Sequence, residues 1–151
     1  MKKSLTLFTL TVVSVLMLSS FSACTTKPER QQSADEVEGA RLLVDARREL
    51  SAKHYDSARD SIISLRQHYP LAMDARKQAI LLLDSIELLA ARDSFDALNR
   101  LAQQQYMQSL DNPDAPLQLD SATYVDEHER LDIKVQFFER KLEEDWKSQR
   151  R

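Results

Sequence analysis

The sequence predicts an all-α chain: a helical hairpin, then a long helix packed antiparallel to a C-terminal helix. Three observations carry this reading. Breakers are scarce, with one Gly and four Pro in 151 residues, so long stretches have nothing to interrupt a helix. Beyond residue 33 the strong helix formers Leu, Ala, Arg, Glu and Gln dominate. No segment alternates apolar and polar residues for long enough to argue for a strand.

Residues 1–23 stand apart from this pattern. Lys2 and Lys3 are their only charged side chains, and the apolar run Leu5–Leu18, diluted by Thr and Ser, follows. A basic start and an apolar centre of this length read as a secretory signal peptide. The run is too short and too polar for a spanning helix, which needs about 20 apolar residues. It ends in Phe21-Ser22-Ala23-Cys24. These four residues resemble the bacterial lipobox, in which an apolar residue and two small ones precede a lipidated cysteine. The resemblance implies a diacylglyceryl thioether and an acylated amine on Cys24, anchoring the chain to a membrane. Several acyl chains hold stably, because each buried CH2 contributes about 0.8 kcal/mol. The competing reading is an ordinary cleaved signal. Cutting before Cys24 would place Phe21 third from last, where a small residue is needed, whereas cutting after Ser22 places Ser20 there. Cys24 is the only cysteine, so no internal disulfide can use it.

With that leader removed, Lys and Arg fall from 21 to 19 against 24 Asp and Glu, a net charge near −5. No basic patch concentrates the positive charge, which argues against nucleic acid as a partner. Membrane affinity must come from the lipid rather than from charge. Residues 24–33 read as a lipidated polar tether, because they contain Pro28 and no large apolar side chain. Thr25 stands where enteric lipoproteins retained at the inner membrane carry Asp. By that resemblance the address is the outer membrane, facing the periplasm.

Residues 34–151 form one helical domain. The first helix should begin near Ser33, since Ser33-Ala34-Asp35-Glu36 matches a capping box. Val37, Ala40, Leu43, Ala46 and Leu50 make its buried stripe, and it should stop around Ala52–His54. The second runs from about Tyr55 to His68, burying Ala58, Ile62, Leu65 and Tyr69. Pro70 ends it, because proline disfavours helix in the residue before it.

Tyr55, Ala58, Ile62, Leu65 and Pro70 match the second half of a tetratricopeptide repeat, and Leu42 and Ala46 fit positions in its first half. The resemblance covers residues 39–72. Asp45 and Glu49 depart from it, standing where that family has Leu and Tyr. The Tyr69-Pro70 ending looks like the repeats of outer-membrane lipoproteins that serve β-barrel assembly. This implies a helical scaffold that holds other proteins, and it implies no catalytic residue.

Ala58-Arg59-Asp60-Ser61 recurs as Ala91-Arg92-Asp93-Ser94, 33 residues later, close to the repeat period. A second repeat would need a turn at residues 85–90, where no breaker stands. The chain therefore favours one continuous helix over 71–110, with Ala75, Ala79, Leu82, Ile86 and Leu89 at heptad-like spacing and Ile80–Ala91 most deeply buried. Asp111–Pro116 makes a loop. The last helix covers 120–149 with the stripe Leu131, Val135, Phe138, Leu142 and Trp146. Phe138 and Trp146 are expected to face Leu82–Leu89.

The chemistry of catalysis is missing. His54, His68 and His128 form no metal pattern; His128 and Asp132 share a face, but two ligands do not make a site. There is no Gly-rich phosphate loop and no Gly-x-Ser-x-Gly elbow. The expectation is a protein that is not an enzyme and needs no cofactor or metal. Arg41, Arg47 and Arg48 form a positive cluster that could grip an acidic partner peptide or simply be solvated. The functional expectation is a lipid-anchored adaptor for another envelope protein. The alternative is a coiled-coil lipoprotein that forms homo-oligomers through the Leu131–Trp146 stripe.

Overall fold

A computed structural model describes residues 26–112, 116 and 119–150. The signal peptide, Cys24 and Thr25 lie outside the described residues, as do residues 113–115 of the expected loop at 111–116. Among the described residues there are four helices and no strand: α1 (Thr26–Ser51), α2 (Tyr55–His68), α3 (Met73–Asp111) and α4 (Ser121–Gln149). The chain is all-α.

α1 starts at Thr26, ahead of the expected Ser33, so residues 26–33 are helix rather than tether. The sequence tolerates this because Pro28 falls in the first turn, where an amide has no helical partner to lose. Glu, Arg and Gln then carry the helix forward. The Ser33–Glu36 capping box is consequently unused. Glu36 caps another helix instead: its carboxylate accepts from the amides of Asp74 (3.2 Å) and Ala75 (2.6 Å) at the start of α3. Asp35, buried, accepts from the amide of Leu71 (3.3 Å) and from Gln31 Nε2 (2.8 Å). Two adjacent acids of α1 thus satisfy amides of the α2–α3 turn, which a helix N-terminus otherwise leaves unpaired.

The same contact corrects the α1 stripe. Gly39, Leu43 and Ala46 are buried, whereas Val37 is 66% exposed and Ala40 is also outside. Gly39 sets this rotation. A Cβ built there would lie 2.8 Å from Ala72 Cβ and 2.9 Å from Ala75 Cβ, so α1 meets the start of α3 with only those two methyl groups between the backbones.

α1 ends on Lys53, whose φ is 61°. The Lys53 amide bonds Leu50 O (3.0 Å) and the His54 amide bonds Glu49 O (2.9 Å), the two bonds of a Schellman cap. α2 then buries Ala58, Ile62 and Leu65, as the sequence predicts, with Tyr69 half-buried.

α3 is unbroken over 39 residues, about 58 Å at 1.5 Å per residue. The Ala91–Ser94 echo of Ala58–Ser61 marks no second repeat. The N-terminal half of α3 packs against α1 and α2, while α4, among the described helices, packs on α3 alone. The core collects Leu43, Ala46, Ala58, Ile62, Leu65, Ala75, Ala79 and Ile86. Ile80 (53%) and Leu89 (39%) are exposed, against expectation, because α1 and α2 cover only one side of α3 at this level.

α4 is capped by Asp120, which accepts from the Thr123 amide at 2.9 Å. It runs antiparallel to α3: partners of Asp84, Phe95, Asn99 and Gln105 are Lys141, His128, Tyr124 and Leu119 in turn. Leu131 is buried and Val135, Phe138 and Leu142 are half-buried, as the stripe requires. Trp146 is 55% exposed. The register explains this, since it carries Trp146 past Asp84 toward exposed Ile80 rather than onto Leu82–Leu89.

Candidate functional site

Of the residues singled out from sequence, Cys24 lies outside the described residues. Arg41 and Arg48 share the outward stripe of α1 with Val37 and Val44, but their charge is already met. Arg41 pairs with Glu38 (2.9 Å) and Asp45 (3.3 Å); Arg48 pairs with Asp45 (3.0 Å) and Glu49 (3.1 Å). Arg47 turns the other way and donates to Gln78 Oε1 of α3 at 3.0 Å. The structure therefore splits the cluster: two guanidinium groups share one carboxylate outside, and the third ties two helices together.

The polar groups that do converge lie along α3. Glu87 is the joint. It accepts from Arg59 of α2 and from Lys134 of α4 at 2.8 Å. The hydrogen bond from Arg59, chiefly, and that from Lys134 hold its carboxyl below the usual range, against the opposing effect of burial. One turn earlier Asp84, 3% exposed, accepts from Lys141 Nζ at 2.6 Å through one oxygen, while its other oxygen has no partner among the described residues. Arg92 adds a third tie to α4 through Glu139 at 2.5 Å. Polar groups in a helix seam are strong only when satisfied.

A second convergence joins the α1–α2 turn to α3. Lys53 Nζ lies 2.8 Å from Asp93, and Tyr55 Oη donates to the same carboxylate at 2.6 Å. Burial, reinforced by that bond and by the Asp93 charge, pushes the Tyr55 phenol up to about 12. Its proton therefore stays in place at neutral pH, which suits a strut and not a nucleophile.

Arg92, Phe95, Asp96, Asp132 and Val135 line an open cleft between α3 and α4. His128 lies against Phe95 and Tyr124, ring centroids 4.6 and 5.4 Å away. Asp132 accepts from Gln136 Nε2 at 2.8 Å. Among the described residues no three His, Cys, Asp or Glu side chains are placed to hold a metal ion. Nor is any helix there long and apolar enough to cross a membrane.

Asp84 and Glu87 were not singled out from sequence, and Asp35 and Glu36 only as a cap for their own helix. A signal for the first pair exists: two acids three apart inside the apolar run Ile80–Ala91, on neighbouring faces of one helix. Acids there need partners, and Lys134 and Lys141 stand two turns apart on the antiparallel helix.

These features define a class, an all-helical chain tied by polar struts around one long helix. Comparison with protein-family models, with curated proteins and with solved structures found no match to this chain.

Proposed function

We propose that the protein is a lipid-anchored helical scaffold of the bacterial cell envelope, held at the outer membrane through Cys24 and positioning another envelope protein. The observation that carries this reading is Phe21-Ser22-Ala23-Cys24 at the end of a basic-then-apolar leader. The tetratricopeptide-like positions support it, since Ala46 and Ala58, the small residues of that pattern, are both 0% exposed. The polar convergences tie helices to one another, as a scaffold needs. Arg41, Arg47 and Arg48 are the first residues to replace in mapping an acidic partner.

Mass spectrometry of the mature amino terminus tests the anchor. The expected product begins at an acylated Cys24 and partitions into detergent, and Cys24→Ser releases it. A mature chain that starts elsewhere and carries no lipid would sink the reading. A pull-down from detergent-solubilised envelopes tests the adaptor role, with a reproducible protein partner as the expected result. The alternative is self-association through the Leu131–Trp146 stripe, in which Leu131 is buried, Val135, Phe138 and Leu142 are half-buried and Trp146 is 55% exposed.

A further inference from the structure

The face of α4 turned away from α3 is not wholly polar. Val125, Ile133 and Phe137 stand on it, 57%, 59% and 51% exposed, at steps of eight and four that a helix gathers to one side. Phe137 is fixed edge-on against Phe138, ring centroids 5.0 Å apart at 81°. Phe138 itself is half-buried on the stripe that α4 shares with Leu131 and Leu142. Asp126 and Arg140 flank this patch, each exposed and each seven residues from Ile133. Among the described residues neither joins an ion pair; Arg140 reaches only the Gln136 carbonyl, at 3.3 Å. Of the neighbouring charges, Arg130 is matched by Glu127 and Lys147 by Glu143, whereas Glu129 and Glu144, like Asp126 and Arg140, join no ion pair among the described residues.

We infer that this face pairs with the same face of a second copy of the chain, the two α4 helices lying antiparallel about a twofold axis at Ile133. One self-complementary patch then serves both subunits. Arg140 stands opposite Asp126 of the partner subunit, and the twofold repeats the pair. Glu144 comes opposite Ala122 of the partner subunit, in the first helical turn, where free amides favour negative charge. Phe137 and Ile133 close the centre against Ile133 of the partner subunit and the aliphatic stem of Glu129 of the partner subunit.

Charge favours this arrangement over one of its two one-turn slips and over the parallel pairing. A slip of one turn sets Arg140 opposite Arg130 of the partner subunit and Asp126 opposite Glu144 of the partner subunit. A parallel pairing in register sets every charge opposite its own kind. Direction thus follows from like-charge exclusion, and the register from the Arg140–Asp126 attraction that only this alignment makes.

Sedimentation equilibrium of the full chain in density-matched mild detergent tests this. The expected result is a reversible dimer. Arg140→Asp and Asp126→Arg each weaken it about tenfold, because two symmetry-related pairs turn repulsive together. The double variant restores the association to within about twofold, since the charges have merely changed sides. Phe137→Ser weakens the dimer irrespective of salt. Helicity by circular dichroism is expected to stay unchanged in all four, because none of these side chains is buried in the subunit. A strict monomer, or a double variant no tighter than the singles, overturns the proposal.

Discussion

The two ends of α3 are held by opposite means. At the N-terminal end three helices meet on small residues, with Gly39, Ala46, Ala58, Ala72, Ala75 and Ala79 buried, and backbones approach until a single Cβ at Gly39 would collide. Toward the C-terminal end, among the described residues, α4 alone lies on α3, through buried Leu131, half-buried apolar side chains and a ladder of polar ties from Asp84 to Gln105. The first end gains from dispersion and area removed from water, which fall away steeply if the fit is spoiled. The second gains register and direction from groups whose net contribution is smaller but whose loss leaves buried charge unpaired. Close packing fixes how near helices come, whereas polar ties fix which residues stand opposite.

The sharpest way to break the first end is Leu65→Ala. Leu65 is 0% exposed amid rigid neighbours, so the cavity should cost about 3 kcal/mol, read as a fall in the urea midpoint. Hydrogen exchange should rise across α1, α2 and the start of α3 more than across α4; uniform loss would show that the two ends are one cooperative unit.

At the other end Lys141→Met strands the Asp84 carboxylate. We expect a loss of about 2 kcal/mol, below the range for fully buried pairs because Lys141 is half-exposed. Adding Asp84→Leu should recover most of it. If the single change were harmless, the polar seam would not be what positions α4.

Gly39→Ala pits helix propensity against space. Alanine gains about 1 kcal/mol in a helix interior, but both colliding atoms are Cβ of alanines and cannot rotate away. The net expectation is a destabilisation of about 1 to 2 kcal/mol by thermal melting. A more stable variant would mean that α1 and α3 sit less tightly than the 2.8 and 2.9 Å approaches require.

The smallest effect belongs to the strut between the two ends. Tyr55→Phe removes the bond to Asp93 and should cost about 1 kcal/mol at neutral pH. The phenol is raised in the fold to about 12, above its ordinary value near 10. Its contribution is therefore complete below the unfolded pKa and drains away as pH climbs through the folded one. The wild-type and Tyr55→Phe stability curves should converge in that alkaline window; parallel curves would refute the strut.

Much of this was legible along the chain. The helix-rich composition, Pro70 after α2, the Asp120 start of α4 and the unbroken run through residues 85–90 are local signals, and each element followed from them. The pattern misleads where a residue answers to something distant. Ser33–Glu36 looks like a cap for its own helix, yet Glu36 serves amides on α3. Val37 and Ala40 fit the periodicity of a stripe as well as Gly39 and Leu43 do, and the contact with Ala72 and Ala75 decided between them. Arg41, Arg47 and Arg48 are close in sequence, yet two point to one carboxylate and the third to another helix.

By itself the sequence determined that the chain is helical, where α2, α3 and α4 begin and end, and which stripe of α4 is apolar. These depend on propensity, capping and proline, whose reach is a few residues. Only the tertiary structure decided how α1 is rotated, that Asp84 and Glu87 sit inside, that Trp146 stays outside, and which face of α4 is left uncovered. Burial and pairing depend on side chains that meet across 28 to 57 positions of chain, and no local pattern encodes the angle at which two helices meet.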